Sequence, residues 1–233
     1  TGKCAGRQPC NILHGWSGAG AFSDGKLSLS PDVGGQIEEY IGRQKAEELI
    51  RYADSIYLEN GAPTLVHGEN DREVERIAYE CNRCGIRLIS CPVRHLGTDN
   101  AFTVLSNMYD HLAAHENFTF LPRTTAVTIL TDENGVTGAQ MQRGQEPFSI
   151  HAKKVVAAPG RGGAQWLSQS CEGLGLEKMN NEVDIGVRVE VPNAVMDHLT
   201  RHLYEAKLVY YSDTFENKVR TFCMNPGGVV SGE

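Results

Sequence analysis

Apolar residues recur at helical spacing over residues 35–60, and this pattern predicts the first regular structure in the chain. Because Gly42 interrupts the run, we expect two helices or one helix broken near that glycine. The next run, TLVHG at 64–68, is strand-like, and a further helical pattern covers about 70–84 and ends at Gly85. The segment GIRLISCPVRHL then predicts a strand that runs into a loop. This order of strand, helix and strand favours an α/β layer arrangement.

The middle of the chain predicts a long helix followed by a β-meander. Asp99 is a plausible N-cap for that helix. The apolar face of the helix consists of Ala101, Val104, Leu105, Met108 and Leu112. Short β-branched segments between 118 and 152, separated by turn signals such as Asn134-Gly135, predict a small antiparallel meander. We expect the meander to lead into a final buried strand over 155–158.

The last third of the chain mixes helices and strands. The pattern predicts a helix through Trp166, a strand with partial alternation over 182–192, a short helix near 193–203 and then two more strands. Together with the preceding elements, this indicates an α/β fold with α+β character.

Composition narrows the class of protein. The chain of 233 residues is 40% apolar and 22% charged, which is ordinary for a globular protein. It lacks both an apolar run long enough to cross a membrane and a signal-peptide pattern at its polar N-terminus, so we expect a cytoplasmic protein without a membrane partner. A net charge of −7 argues against a nucleic-acid-binding surface.

The cysteines and histidines predict no metal site. Seven cysteines, an odd number, suggest reduced thiols rather than a disulfide framework. Cys81 and Cys84 have ligand-like spacing, but both fall at the C-terminal end of a predicted helix, where the dipole disfavours a thiolate. His111 and His115 are four residues apart on a helix without an evident third ligand, so we interpret them as a solvated helix end.

The glycine-rich stretch GAFSDGKL at 20–27 almost spells a phosphate-binding P-loop. Leu27 stands where a P-loop needs a hydroxyl for magnesium, no buried strand precedes the loop, and Pro31 with paired glycines makes a following helix improbable. We therefore exclude a nucleoside triphosphatase. Residues 1–34 instead predict irregular backbone held in place by something else, for which a ligand is one candidate.

Five segments in one order carry a resemblance to a known family. They are GAGAFSDGKL (18–27), VRHLGTDN (93–100), KKVVAAPGRGG (153–163), DIGVRVEVP (184–192) and FCMNPGGVV (222–230). In these segments the chain resembles the FAD-dependent oxidoreductases of the glutathione-reductase superfamily, in particular a bacterial branch of FAD-dependent dehydrogenases. The family's opening G-x-G-x-x-G turn is missing, which indicates an internal fragment of a longer flavoprotein.

The resemblance implies which residues bind the cofactor, FAD. The first segment should lie along the flavin through Gly18, Gly20, Phe22, Ser23, Asp24, Gly25 and Lys26. The backbone of Ala126 and Val127 should lie against the adenine. The turn made by Ala158, Pro159 and Gly160 should approach the dinucleotide, although Pro159 removes a hydroxyl and an amide donor from the usual turn.

Candidate catalytic residues are Arg94 and His95. His95 is either an active-site imidazole or a histidine that bridges the loop before the next helix, and Arg94 either holds an anionic substrate or pairs with a nearby carboxylate. Cys223 is either a redox thiol facing the flavin or, as we prefer, a small buried hydrophobe.

The sequence therefore predicts a partial two-dinucleotide-binding-domain flavoprotein fold, with a β-meander and a substrate-side domain. We expect a cofactor-facing segment at 1–34, substrate-side regions at 35–96 and 172–233, and an FAD-domain region at 97–171. The expected activity is transfer of hydride or electrons between FAD and a small substrate, with NAD(P)H as a candidate electron donor. The alternative is a non-catalytic binding module that has lost its cofactor.

Overall fold

The computed structural model of the chain describes residues 6, 10, 14–23, 25–69, 72–180 and 183–228. The chain divides into two compact units. The first joins Gly20–His111 to Arg188–Glu233, and the second joins Gly6–Ala19 to Leu112–Val187. The division into four functional regions stays a prediction.

The first unit opens with the helices predicted around Gly42. Helix α1 covers Ile37–Ile41 and α2 covers Arg43–Glu59. Gly42 separates them with a φ of 79°, a value that favours glycine, so the predicted break is confirmed. Before them lie a 3-10 helix at Gly18–Phe22 and strand β1 at Lys26–Ser28. A strand therefore follows the glycine-rich loop where a P-loop would require a helix.

The helix predicted over about 70–84 is present with shifted bounds, whereas the one strand predicted within 85–96 is two short strands in different sheets. Helix α3 covers Arg72–Arg83, β2 covers Arg87–Ile89, β3 covers Val93–His95 and α4 covers Thr98–Ala113. The prediction that Asp99 is the N-cap of α4 is wrong, because α4 begins at Thr98 and Asp99 lies in its first turn. An acidic residue there still suits the helix dipole.

Two small antiparallel sheets complete the first unit. Strand β1 pairs with β3, and β2 pairs with β7 (Lys207–Tyr211), which pairs with β8 (Lys218–Arg220). Helix α6 covers Asn193–Leu203. One buried cluster contains Ala62, Leu96, Ala101 and Val104, and a second contains Ile77, Leu203 and Ala206.

The second unit contains the predicted meander. Strands β4 (Thr125–Asp132), β5 (Gly135–Arg143) and β6 (Glu146–His151) form a three-stranded antiparallel sheet in sequence order. Helix α5 covers Ala164–Gly173, as predicted, after a 3-10 turn at Arg161–Gly163. The indole N–H of Trp166 donates to the carbonyl of Val127 at 3.0 Å and so ties α5 to β4.

Four predicted strands are wrong. TLVHG contributes only an isolated bridge from His67 to Val93, and no strand forms over 118–122, over 155–158 or in the described part of 182–192. Val156 is 89% exposed and Ile185 is 97% exposed, so their apolar side chains lack the packing that a buried strand requires. All ladders among the described residues are antiparallel, so these residues form a mixed α+β fold and not the predicted α/β layers. No described helix is long and apolar enough to span a membrane.

Candidate functional site

The ladder between β1 and β3 brings two of the predicted site residues together. Lys26 stands opposite His95, and Leu27 stands opposite Arg94. Because side chains alternate along a strand, Lys26 and His95 share one face of the ladder while Arg94 points to the other. The sequence-adjacent pair Arg94 and His95 is therefore divided between two environments.

His95 contacts Tyr204, a residue that the sequence did not single out. The Tyr204 Oη and the His95 Nε2 are 2.9 Å apart. Their rings are stacked with centroids 4.3 Å apart, and the ring of His67 lies 5.4 Å from that of Tyr204. Burial, followed by the charge of His95, lowers the pKa of His67. These three side chains, which we call the His95 cluster, put two imidazoles and a phenol in one place.

Tyr204 is held in a rare backbone conformation. It has a φ of 58° and a ψ of −57°, and the N–H of Glu205 donates to the carbonyl of Leu203 at 2.7 Å. This is the geometry of a γ-turn of the strained kind, which glycine adopts most easily. Residues other than glycine with a strained backbone are concentrated at functional sites, so the turn makes Tyr204 a candidate functional residue.

Lys26 ties the ladder to the last described segment of the chain. Its ammonium donates to Glu205 Oε2 at 2.9 Å, to Cys223 Sγ at 2.6 Å and to the carbonyl of Met224 at 2.7 Å. An ammonium has three hydrogens, so each has an acceptor within this set. Burial lowers the pKa of Lys26, but the hydrogen bonds to Cys223 and Glu205 outweigh it and the pKa is raised.

Glu205 is a buried carboxylate held between two ammonium groups. Its side chain is 4% exposed, and Lys207 Nζ lies 2.8 Å from its Oε1 while Lys26 contacts its Oε2. Burial raises the pKa of Glu205, but the hydrogen bonds from Lys207 and Lys26 prevail and leave it below its usual value. Cys223 itself is exposed, so the prediction of a buried cysteine is wrong. Its sulfur lies where the ammonium of Lys26 reaches it.

Arg94 has the second of its two predicted roles. Its guanidinium donates to both carboxylate oxygens of Asp54, at 2.6 and 2.7 Å, and to the carbonyl of Pro63 at 2.6 Å. The residue is 4% exposed. The bond to Asp54 is the main reason that the pKa of Arg94 is raised. This side chain is committed to holding β3 against α2.

Hydrogen bonds within the glycine-rich loop hold part of its backbone in place. The hydroxyl of Ser23 donates to the carbonyl of Gly20 and accepts the N–H of Gly25, both at 3.1 Å. A Cβ at Gly25 would lie 2.8 Å from the Cβ of Leu96, so this glycine serves internal packing. A Cβ at Gly20 would meet no described atom within 4 Å. Gly18 and Phe22 bound the 3-10 helix, and Asp24 lies outside the described residues.

The residues predicted near the adenine lie in the second unit. Ala126 pairs with Met141, and a β-bulge after Ala126 leaves Val127 without a partner residue in the ladder. The carbonyl of Val127 instead accepts a hydrogen bond from the indole of Trp166. A cavity of about 160 Å³ lies beside them, with Val127, Trp166 and Leu174 in its lining. It is smaller than the roughly 300 Å³ at which ligand pockets begin.

The predicted turn at Ala158, Pro159 and Gly160 is exposed. Gly160 has a φ of 64° and a ψ of −165°, a region that essentially only glycine occupies. A Cβ there would meet no described atom within 4 Å. The turn thus requires glycine although no packing of described residues explains it.

Metal binding has no support in the described part of the chain, where no group of three or more His, Cys, Asp or Glu side chains could hold an ion. Cys81 lies in α3, packs against the second buried cluster and has a pKa raised by burial, whereas Cys84 is exposed just after the helix.

The sequence missed three members of this region: His67, Tyr204 and Glu205. Tyr204 is at the C-cap of α6, a place where glycine is common, and a bulky residue there was the one available signal. The others have no local signal, since partners far apart in the chain define them.

Comparison with known proteins identifies a family and a distant relative. The sequence model of a family described as "FAD binding domain" matches residues 42–184, more than half of the chain. The match includes His67 and His95. An "Uncharacterized protein" of Clostridium beijerinckii (strain ATCC 51743 / NCIMB 8052) is 26% identical over 94% of this chain, which covers 35% of the relative's length. No solved structure matches.

Proposed function

Because the chain belongs to the FAD binding domain family, we propose that the whole protein is a flavoprotein oxidoreductase. It would transfer hydride or electrons between FAD and a small substrate. FAD is the cofactor that the family indicates. The chain spans about a third of the length of the relative that it matches. Membership of the glutathione-reductase superfamily, NAD(P)H as donor and a cytoplasmic location remain parts of this proposal.

The exposed turn at Gly160 supports a fit with FAD. Only glycine adopts the backbone conformation of Gly160, and a Cβ there would meet no described atom within 4 Å, which leaves room for the polar part of a dinucleotide to approach the main chain. We propose that this turn contacts the cofactor, with Ala126 and Val127 of the same unit on the adenine side. A Cβ at Gly20 would also meet no described atom within 4 Å, which supports a separate proposal that the glycine-rich loop contacts the flavin.

The single observation that carries the proposed chemistry is the contact between His95 and Tyr204 at 2.9 Å. Bound FAD supplies the hydride or electron chemistry, and a hydride transfer to or from a carbon bearing oxygen or nitrogen needs a proton carrier close by. In our proposal His95 holds or moves that proton at a ring nitrogen. Lys26 shapes this face by fixing the residues around Glu205 rather than by touching the substrate.

The test is an absorption scan between about 350 and 500 nm, in which a bound flavin gives a shifted and structured band. We would add FAD to the purified chain, separate free FAD by gel filtration and repeat the scan on Gly160→Val and on Gly173→Ala. Retained flavin in the wild type and in the Gly173 variant, with loss in the Gly160 variant, supports the proposal.

Gly173 is the matched control because it ends α5 without a positive φ and a Cβ there would meet no described atom. Failure of the wild-type chain to retain any flavin would remove the cofactor role of these two segments.

A further inference from the structure

We propose that Tyr204 is the positioning residue of His95, and that its hydroxyl donates to Nε2 and holds the neutral imidazole in the Nδ1–H tautomer. The assignment rests on the contact of 2.9 Å between Tyr204 Oη and His95 Nε2 and on the strained turn that places Tyr204 there. Its meaning for catalysis rests on the proposed function, but the tautomer is a property of this chain alone.

The strained turn is tolerated because burial, ion pairs and a backbone hydrogen bond hold the residues on both sides of it in place. Leu203 and Ala206 are in the second buried cluster, at 5% and 0% exposure. Glu205 is clamped by two lysines, and the carbonyl of His202 accepts the N–H of Gly68 at 2.9 Å. A γ-turn of this hand is strained at a residue other than glycine. The chain carries that strain with tyrosine at a position whose side chain contacts His95.

The ring contacts restrict what Tyr204 can do. Its ring is stacked on that of His95, which restricts the imidazole plane, and the centroid of the tilted His67 ring lies 5.4 Å from its own. The ammonium of Lys26 lies 5.9 Å from the centroid of the Tyr204 ring, within the range of a cation–π contact. The hydroxyl thus has its location set by three neighbours before any substrate arrives.

A hydrogen bond from the phenol determines which nitrogen of His95 carries the proton. A neutral imidazole has one N–H and one acceptor nitrogen, and a partner that donates to Nε2 leaves the proton on Nδ1. The nitrogen that carries the proton is the one that can give it to a reacting atom. Tyr204 therefore acts on the chemistry through His95, without touching the substrate.

The experiment is ¹⁵N NMR of the histidine side chains in the purified chain at a pH where the imidazoles are neutral. The signals of His95, one of eight histidines, are assigned by their loss in His95→Gln. We expect an acceptor-type Nε2 and a protonated Nδ1 in the wild type. In Tyr204→Phe, which keeps the ring and the turn, we expect the Nε2–H form to dominate.

Tyr211→Phe is the matched control, because Tyr211 is 59% exposed on β7 and should leave the His95 signals unchanged. The wild-type spectrum is itself a test: a protonated Nε2 in the neutral imidazole would overturn the proposal even if the Tyr204 variant did not fold. An Nδ1–H tautomer that persists in Tyr204→Phe would overturn it as well.

Turnover separates a positioning role from a structural one. With the flavin-loaded protein, loss of the hydroxyl should reduce kcat about tenfold and leave KM unchanged, since the residue acts on proton transfer rather than on binding. An altered tautomer with unchanged kcat would reject the positioning role. If no flavin is retained, the proposed function fails while the NMR result still stands or falls by itself.

Discussion

Arg94 and His95 are neighbours in sequence, but they face opposite sides of β3 and have different partners. Arg94 reaches Asp54 on α2 and is nearly inaccessible to solvent, whereas His95 reaches Tyr204. The alternation of a strand allows this separation, since successive side chains point in opposite directions. At the scale of single residues, the partner across the fold determines that Arg94 has a structural contact with Asp54 and that His95 lies against Tyr204.

Arg94→Gln should destabilise the first unit by about 3 kcal/mol, because it leaves the carboxylate of Asp54 without its partner in a site of low exposure. The control is Arg43→Gln, because Arg43 pairs with Asp32 on the surface and its side chain is 53% exposed. Its loss should lower the free energy of unfolding much less. Urea unfolding of the two variants measures the changes. Equal effects of the two substitutions would contradict the structural role of Arg94.

Glu205 makes the stability of the first unit dependent on acid. Its folded pKa lies below the ordinary value of 4.5, so the unfolded chain takes up the proton first as the pH falls. The stabilisation is present above that value and is lost as the pH drops through the folded pKa. Glu205→Gln should therefore lower the free energy of unfolding at neutral pH and flatten its dependence on pH below about 4.5.

Unfolding curves at several pH values test this expectation. Glu39→Gln, on the exposed surface of α1, should follow the wild-type curve closely. A slope in Glu205→Gln as steep as that of the wild type would show that other carboxylates control the acid transition.

At the scale of elements, the glycine-rich loop has two kinds of glycine. Gly25 has a φ of 70° and its Cβ position is 2.8 Å from the Cβ of Leu96, whereas a Cβ at Gly20 would meet no described atom within 4 Å. The first makes the junction between β1 and the loop before α4 possible, as the bond from Leu96 N–H to its carbonyl at 2.9 Å shows. For Gly20, no contact with a described residue requires glycine.

Gly25→Ala should destabilise the chain by about 1–3 kcal/mol, through strain at a positive φ and overlap with Leu96. Gly20→Ala should leave the free energy of unfolding unchanged and, if the loop lies along the flavin, weaken retention of FAD. Thermal unfolding and the flavin scan measure both. A large loss of stability in Gly20→Ala would contradict the open environment of that residue.

The segment 183–191 alternates apolar and polar residues as a strand would, but its apolar side chains are exposed, with Ile185 at 97% and Val189 at 73%. Ile185→Thr should therefore change the free energy of unfolding by no more than about 0.5 kcal/mol. Val104→Ala, at 0% exposure in α4, should cost about 2 kcal/mol or more. If the Ile185 substitution proves as costly, the segment packs as the strand that its alternation predicts.

At the scale of the whole molecule, the net charge predicts how the chain interacts with nucleic acid. The net charge of −7 repels polyanions, so we expect no change in fluorescence anisotropy when the chain is added to a labelled DNA duplex at physiological salt. A calibrated DNA-binding protein at the same concentration serves as the positive control. Saturable binding would show that a local basic surface outweighs the net charge.

Much of the fold could be predicted from the pattern of side chains. The break at Gly42, helices α3, α5 and α6, and the three-stranded meander depend on contacts close in sequence, and local periodicity and turn residues report such contacts well. The predictions of strands at 64–68, 118–122, 155–158 and 182–192 are wrong for the opposite reason. A strand exists only if another pairs with it, and composition alone does not supply that partner.

The helical segments, the meander, the acidic character and the resemblance to FAD-dependent oxidoreductases could be read from the sequence, because each lies in local order or in whole-chain composition. The contacts of His95 with Tyr204, of Arg94 with Asp54 and of Lys26 with Glu205 became known only from the folded chain. These contacts join residues 40 to 179 positions apart. Pairings at such separations arise from strand register and from packing, which no local pattern encodes.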